Sequence, residues 1–213
     1  MPTFIETITT RRSTRRFTDE PVDRDSLDQM MKAAISAPSG GNRQPWRFVV
    51  VQDRALLTAV KDAIVKGIEA LPRTLNKASE AQVDALQRRF ARFSLFFADA
   101  PVAVFVFYDP TGSVVARVMA EHGAGEAERE RDSGLVDAQS AAAAIENLLL
   151  AAHSLGYGSC WMNPPFFARE EISRMLGVAP PFRLLAMVPI GRPAEEPRGK
   201  SRRPLDEVVA FIG

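Results

Sequence analysis

Two rhythms of apolar residues run along this chain, and the switches between them mark its elements. Phe4, Ile5 and Ile8 form a short helical stripe. Leu27, Met30, Met31 and Ala34 recur at helical spacing, which predicts a helix from Asp25 or Ser26, as cap, to about Ser36. Pro38, Ser39, Gly40 and Gly41 break the pattern as a loop. Arg47–Gln52 then reads as a buried strand, because β-branched residues follow one another without polar interruption. Helical spacing returns over Leu56–Gly67 and Ser79–Phe97. Val102–Tyr108 is the clearest strand.

The segment from Asp109 to Ser133 carries the charged run GAGEAERERDSG and few apolar side chains. It reads as a surface loop or lid with helical fragments. Asp137–Leu155 is rich in Ala and Leu and predicts a helix buried on most sides. Gly156 stops it. Tyr157–Met162 reads as a short strand, Arg169–Leu176 as a short helix closed by Gly177, and Phe182–Ile190 as a further strand. A Pro/Arg/Lys-rich extension, Gly191 to Pro204, and an apolar tail, Leu205–Phe211, close the sequence. Three or four strands among about six helices predict an α+β fold, and no linker divides the chain.

Composition narrows the function classes. The chain has 213 residues, enough for a real core, and a formal net charge of +1, which favours neither nucleic acid nor an anionic membrane. The single cysteine, Cys160, forbids an intrachain disulfide and fits a reducing cytoplasm. The N-terminus lacks the apolar run of a signal peptide, and no uninterrupted apolar stretch predicts a membrane span. Two histidines, His122 and His153, and one cysteine make no zinc pattern. His153 reads as a packed core residue, Cys160 as a buried, inert thiol, and Trp46 as core packing. No GxGxxG follows a strand and no GxxxxGK[ST] occurs, which argues against a Rossmann site or a P-loop.

Arginines concentrate near both ends. Arg11, Arg12, Arg15 and Arg16 enclose Ser13 and Thr14. Guanidinium forks beside a hydroxyl suit a phosphate, and a solvated basic patch suits the same spacing. Arg192, Arg198, Lys200, Arg202 and Arg203 form a second cluster, offset by Glu195 and Glu196. Spacing leaves open whether the two clusters converge on one anion.

Five segments in order carry a resemblance. RRSTRRF (Arg11–Phe17), APSGGNRQPWRFVVV (Ala37–Val51), DAQ (Asp137–Gln139), LGYGSCWM (Leu155–Met162) and KSR (Lys200–Arg202) resemble the FMN-dependent nitroreductase family across nearly the whole chain. The likeness is weakest over Val65–Ala98 and Asp109–Ser133. It implies an α+β fold, a central mixed and mainly antiparallel sheet flanked by helices, in an intertwined homodimer. Residues 1–213 form one domain, with 109–133 as lid and 192–213 as an extension toward the partner subunit.

The resemblance also implies roles. Arg11, Ser13, Lys200 and Arg202 match positions that hold the FMN phosphate and ribityl chain, and Arg12 lines the same cofactor. Arg15 matches a basic residue facing the N1/O2 edge of the isoalloxazine, where positive charge stabilises the reduced flavin. Pro38, Ser39, Gly40 and Asn42 match a loop that reaches the partner's FMN, and Gln139 matches a cofactor-contacting glutamine. Trp161, Met162, Asn163 and Pro164 match the segment along the ring edge. Relatives often carry an acidic residue and glycine where this chain has Asn163 and Pro164. Proline there removes a backbone donor, so an N5 contact rests on Asn163. Arg89 and Arg92 are candidates for flavin contacts from the middle region.

The implied activity is ping-pong. NAD(P)H reduces FMN and leaves, and a nitroaromatic, quinone or similar electron-poor acceptor takes its place, with no protein acid or base assigned. Two alternatives stay open: another flavin enzyme on this scaffold, such as a reductive dehalogenase or a flavin-fragmenting enzyme, and a non-catalytic flavin-binding redox sensor.

Overall fold

The computed structural model describes residues 3–70, 78–197, 199 and 201–213. Among these, four strands form one sheet: β1 (Trp46–Val51), β2 (Val102–Tyr108), β3 (Gly158–Ser159) and β4 (Arg183–Gly191). Their order is β1-β2-β4-β3 and every pair is antiparallel. A single parallel bridge from Ser13 to Ser159 makes the sheet mixed at its far edge. The helices are α1 (Phe4–Thr10), α2 (Arg24–Ile35), α3 (Arg54–Glu69), α4 (Glu80–Ser94), α5 (Val114–Glu121), α6 (Glu126–Ser154) and α7 (Arg169–Met175). The predicted α+β fold stands.

The sheet separates two apolar layers. Alternate residues of β2 point to opposite faces. Val102, Val104 and Val106 join Met30 and Ala34 of α2 with Ile145, Leu148 and Leu149 of α6. Ala103, Phe105 and Phe107 join Leu57, Val60 and Ile64 of α3 with Phe97 and Met187. Central placement is why β2 reads so clearly in the sequence: both of its edges are paired and both faces are covered. β1 differs. It is the edge strand, half-exposed, with Val50 38% accessible, so the buried strand predicted there is a one-sided one. Trp46 is likewise half-buried rather than core.

Capping chemistry sets the helix ends. The side chain of Asp23, not of Asp25 or Ser26, accepts from the Ser26 N–H and starts α2. Ser79 and Gln82 form a reciprocal capping box at α4, which ends at Ser94 before a 3₁₀ turn over Phe96–Asp99. Gly177 has φ 65° just past α7, a conformation that glycine adopts without steric cost. The largest departure is α6. It begins at Glu126 rather than Asp137, and α5 precedes it, so the expected lid is mostly helical. Leu135–Ser154 is long and apolar enough to cross a membrane. Here its apolar face packs on α2 and the sheet.

The C-terminal end of α6 is fastened by Arg192. Its guanidinium donates to the carbonyls of Leu155 and Gly156 and lies 4.1 Å from the Tyr157 ring centroid. Tyr157 in turn donates its hydroxyl to Asp23 at 2.9 Å. The Ser26 N–H, the Ser26 hydroxyl and the Tyr157 hydroxyl hold the Asp23 carboxyl down at about 2, below the ordinary 3.8. A carboxyl depressed in the folded state contributes stability that is present above its unfolded value and lost as pH falls through the folded one. The thermal midpoint should therefore fall more steeply between pH 4 and pH 2 in the native protein than in Asp23→Asn. Parallel curves would show that Asp23 does not contribute.

Candidate functional site

The N-terminal arginine segment is extended, not helical. α1 ends at Thr10, and Arg11 leaves it with ψ 134°. Thr14 N–H donates to the Ser159 carbonyl at 3.0 Å, Thr18 N–H to Arg192 at 2.9 Å, and Ala194 N–H to Arg16 at 3.0 Å. Residues 13–18 thus run beside β3 on one side and beside 192–194 on the other. Close approach requires Gly158, where a β-carbon would overlap the buried Thr14 side chain. The two chain ends meet.

Between them lies a cleft of about 640 Å³, lined by Ser13, Thr14, Arg15, Arg16, Glu195, Glu196, Pro197 and Gly199. Gly199 sits against the Arg12 guanidinium, which a β-carbon would meet at 3.0 Å. Arg12 donates to the carbonyls of Thr9 and Arg11 at the end of α1. Among the described residues Arg15 donates to the Ser13 carbonyl alone, at 3.4 Å. Among the described residues neither makes an ion pair. Arg16 is matched to Glu195 at 3.4 Å and Arg11 loosely to Glu146 at 3.7 Å. The hydroxyl oxygen of Thr14 is buried with no hydrogen-bond partner among the described residues. Arg202 is exposed on the extension, and Lys200 lies outside the described residues. Of the second basic cluster, Arg192 is spent on α6, Arg203 pairs with Glu207 at 3.0 Å, and Arg198 is outside the described residues.

A second group of predicted residues gathers at the opposite stretch of α6. The loop 38–44 rests on it: Gly40 N–H points to Ser140 Oγ at 3.5 Å, and Gly40 lies against Val136. Ser39 Oγ accepts from the Gln44 N–H at 3.0 Å. Pro38, Gly40 and Asn42 are exposed, as is Gln139 on the helix below. The sequence reading passed over Arg43, whose guanidinium meets Asp137 at 3.3 Å and Asp109 at 3.7 Å. Burial pushes the Asp137 carboxyl above its ordinary range, against the pull of Arg43, with Asp109 adding to the rise. Asp137 lies in the DAQ motif and Arg43 in the 37–51 segment, and nothing in either motif pairs them.

Along the ring-edge segment Trp161, Met162 and Asn163 differ in burial. Met162 is buried, and its N–H and carbonyl are both paired with Met187 at 2.9 Å. Trp161 is half-buried and donates from Nε1 to Asn163 Oδ1 at 3.0 Å. Asn163 is exposed. Beyond it Phe166 and Phe167 meet Phe90 edge to face, Phe167 lying 4.7 Å from Phe90 between ring centroids.

The remaining candidates resolve simply. Cys160 is buried and its thiol is pushed up by burial, with the charge of Arg15, the Ser13 hydroxyl and Arg11 opposing. Burial thus disfavours the nucleophilic thiolate there. His153 is not core. It is half-buried, 3.0 Å from Thr10 Oγ1, and burial with the charges of Arg11 and Arg12 lowers its pKa. His122 Nδ1 lies 2.8 Å from the Val118 carbonyl and ends α5. No group of metal-ligating residues occurs among the described residues. A larger cleft of about 900 Å³ lies between α5, α7 and the 178–183 turn. No residue of either group lines it, so volume alone does not locate this site.

The chain matches the model of the nitroreductase family over residues 8–192. The chain belongs to the nitroreductase family. A protein of Archaeoglobus fulgidus, provisionally named NADH dehydrogenase/NAD(P)H nitroreductase, is 30% identical over 92% of this chain and 88% of its own. An iodotyrosine deiodinase of Thermotoga neapolitana is 27% identical over 93% and 91%. Among solved structures, a BluB-like flavoprotein of Clostridium difficile 630 superposes with a TM-score of 0.87 at 32% identity, covering 100% of both chains. A nitroreductase of Desulfovibrio desulfuricans in complex with FMN gives 0.64 at 26%, covering 100% and 98%. The nitroreductase-family match and these likenesses agree with the fold described above.

Proposed function

We propose that this nitroreductase-family chain is an FMN-dependent oxidoreductase that draws reducing equivalents from NAD(P)H and delivers them to electron-poor acceptors such as nitroaromatics or quinones. The observation that carries the reading is the meeting of the two chain ends around a cleft whose N-terminal side presents Ser13, Arg15 and Arg16 opposite Glu195 and Glu196. Arg12 and Arg15 there are bonded only to carbonyls among the described residues. Guanidinium groups and hydroxyls are the donor set for a phosphate monoester. Thr14, whose buried hydroxyl has no hydrogen-bond partner among the described residues, lines the same cleft beside Ser13 and Arg15, a donor set that fits the cofactor's phosphate.

Bound FMN would supply hydride acceptance and electron delivery. The chain supplies the rest. Arg11, Arg12 and Ser13, with Lys200 and Arg202 from the extension, would hold the phosphate and ribityl groups. Arg15 contributes positive charge that favours a reduced, anionic cofactor. Trp161 and Asn163 would line the ring, while the buried Met162 fixes the segment through its backbone pairs. No general acid or base is assigned.

The working unit is a homodimer. Phe4 and Ile5 of α1 are 73% and 65% exposed, Leu135 of α6 is 65%, and Phe211 and Ile212 of the tail are 89% and 97%. Apolar surface on this scale fits cover by a second copy, with loop 38–42 and Gln139 reaching the partner's cofactor. A second reading is supported by the relative named iodotyrosine deiodinase: reduction of a carbon–halogen bond on an aromatic substrate.

The test is an absorption spectrum of the purified protein, then anaerobic titration with NADH and NADPH and a panel of nitroaromatic, quinone and halophenol acceptors. Flavin bands that bleach with a reductant and recover with a nitroaromatic or quinone support the first reading. Recovery with halophenols alone selects the second. Colourless protein that takes up no FMN overturns both.

A further inference from the structure

The pairing of Arg43 with Asp137 is unused by the reading above, and it is among the most buried ionic contacts described. The Asp137 side chain is 3% exposed, Arg43 23% and Asp109 25%. One guanidinium therefore joins three segments that are remote in sequence: loop 38–44, the 109–112 turn and α6. Each end of the contact is itself fixed. Asp109 Oδ1 accepts from the Thr111 N–H at 2.8 Å and from its hydroxyl at 2.6 Å, leaving Oδ2 for Arg43. The Asp109 N–H donates to the Pro45 carbonyl at 2.8 Å. Gly112 closes the socket, because a β-carbon there would overlap the guanidinium.

The loop so fastened is under strain. Asn42 and Gln44 stand at φ 54° and 51°, where side chains are disfavoured, beside Gly41 at φ 60°. Such residues keep their conformation only when their surroundings impose it. Within the loop the ties are short-range, Asn42 N–H to Ser39 O at 2.9 Å and Arg43 N–H to Gly40 O at 3.2 Å. Among the described residues, the other direct polar tie from loop to helix is the long contact of Gly40 with Ser140. The Arg43 socket is thus the ionic restraint that ties the loop to both the helix and the 109–112 turn.

We propose that Arg43 is a positioning residue, whose guanidinium, seated between Asp137, Asp109 and Gly112, holds the Pro38–Asn42 loop in the shape that completes the flavin site of the partner subunit. The proposal rests on the FMN-dependent dimer described above. Arg43 acts through the loop and touches no cofactor. The 109–112 turn that leads into α5 shares the socket, so movement at one is felt at the other.

Two variants test this on the full chain. Gly112→Ala displaces the guanidinium tip while leaving every charge in place. The double variant R43Q/D137N removes the guanidinium with its more buried carboxylate, while Asp109, 25% exposed, keeps its bonds from Thr111. FMN affinity is read by fluorescence quenching and the ring's surroundings by visible circular dichroism, beside the thermal midpoint. Misplaced site residues lose binding or rate steeply with distance, so about tenfold weaker FMN binding is expected in both variants. An altered visible dichroism spectrum is expected with it, in protein that remains folded. A general loss of stability would leave the dichroism of the bound fraction as in the native protein. Native FMN affinity and native dichroism in either folded variant overturn the proposal while leaving the flavin reading intact. Absence of FMN binding by the native protein overturns the flavin reading, and this proposal with it.

Discussion

Arg11→Ala combined with Lys200→Ala should yield a folded protein that no longer retains FMN. Arg11 is the half-enclosed cation of the N-terminal segment, with its side chain 18% exposed. Its partner Glu146, at 3.7 Å, is 46% exposed and loses little when left to water. Hydrogen bonds to charged groups contribute about 1.5–3 kcal/mol each, so losing two costs roughly 3–6 kcal/mol of binding. That corresponds to roughly 10²–10⁴-fold in affinity. Arg203→Ala is the control, since that residue pairs with Glu207 on the exposed extension. FMN titration of the three proteins decides it. Full retention in the double variant would place the phosphate elsewhere.

Phe105→Ala should produce the largest loss of stability of any single substitution considered. Phe105 is fully buried at the middle of β2, opposite Val49 on one side and Met187 on the other. It packs in the layer formed with Leu57, Ile64 and Phe97. Truncation removes the transferred apolar surface and leaves a cavity that two fixed strands cannot close, at a cost of about 3–5 kcal/mol. For a chain of this length the thermal midpoint falls by about 2–4 °C per kcal/mol. Urea unfolding followed by far-ultraviolet circular dichroism measures the difference. A change below about 1 kcal/mol would mean that the layer repacks, contrary to the close packing of interiors.

What was legible in the sequence follows from locality. β2 declared itself because seven consecutive residues, Val102–Tyr108, are apolar and flanked by proline and aspartate. β1 looked the same by composition, yet edge position decides exposure, and strand order is not a local property. The early start of α6 leaves no trace in apolar periodicity. Glu, Ala and Arg around residues 126–131 are strong helix formers that need no apolar stripe. At the site, motifs identified segments but not pairings. Arg43 and Asp137 are 94 positions apart, and Arg11 meets a glutamate far along α6. Nothing in the spacing of either residue names its partner.

One continuous helix connects both groups of candidate residues. Asp137 grips the loop through Arg43, and further along the same helix Glu146 meets Arg11. About 14 Å of helical rise separates the two points. In a two-fold assembly each copy would then serve its own cofactor from one end of this ruler and its neighbour's from the other. The gap between the two contributions is set by backbone geometry rather than by loop conformation. Deleting one residue between those points would swing one end by about 100° relative to the other and take a loop out of register with its arginine.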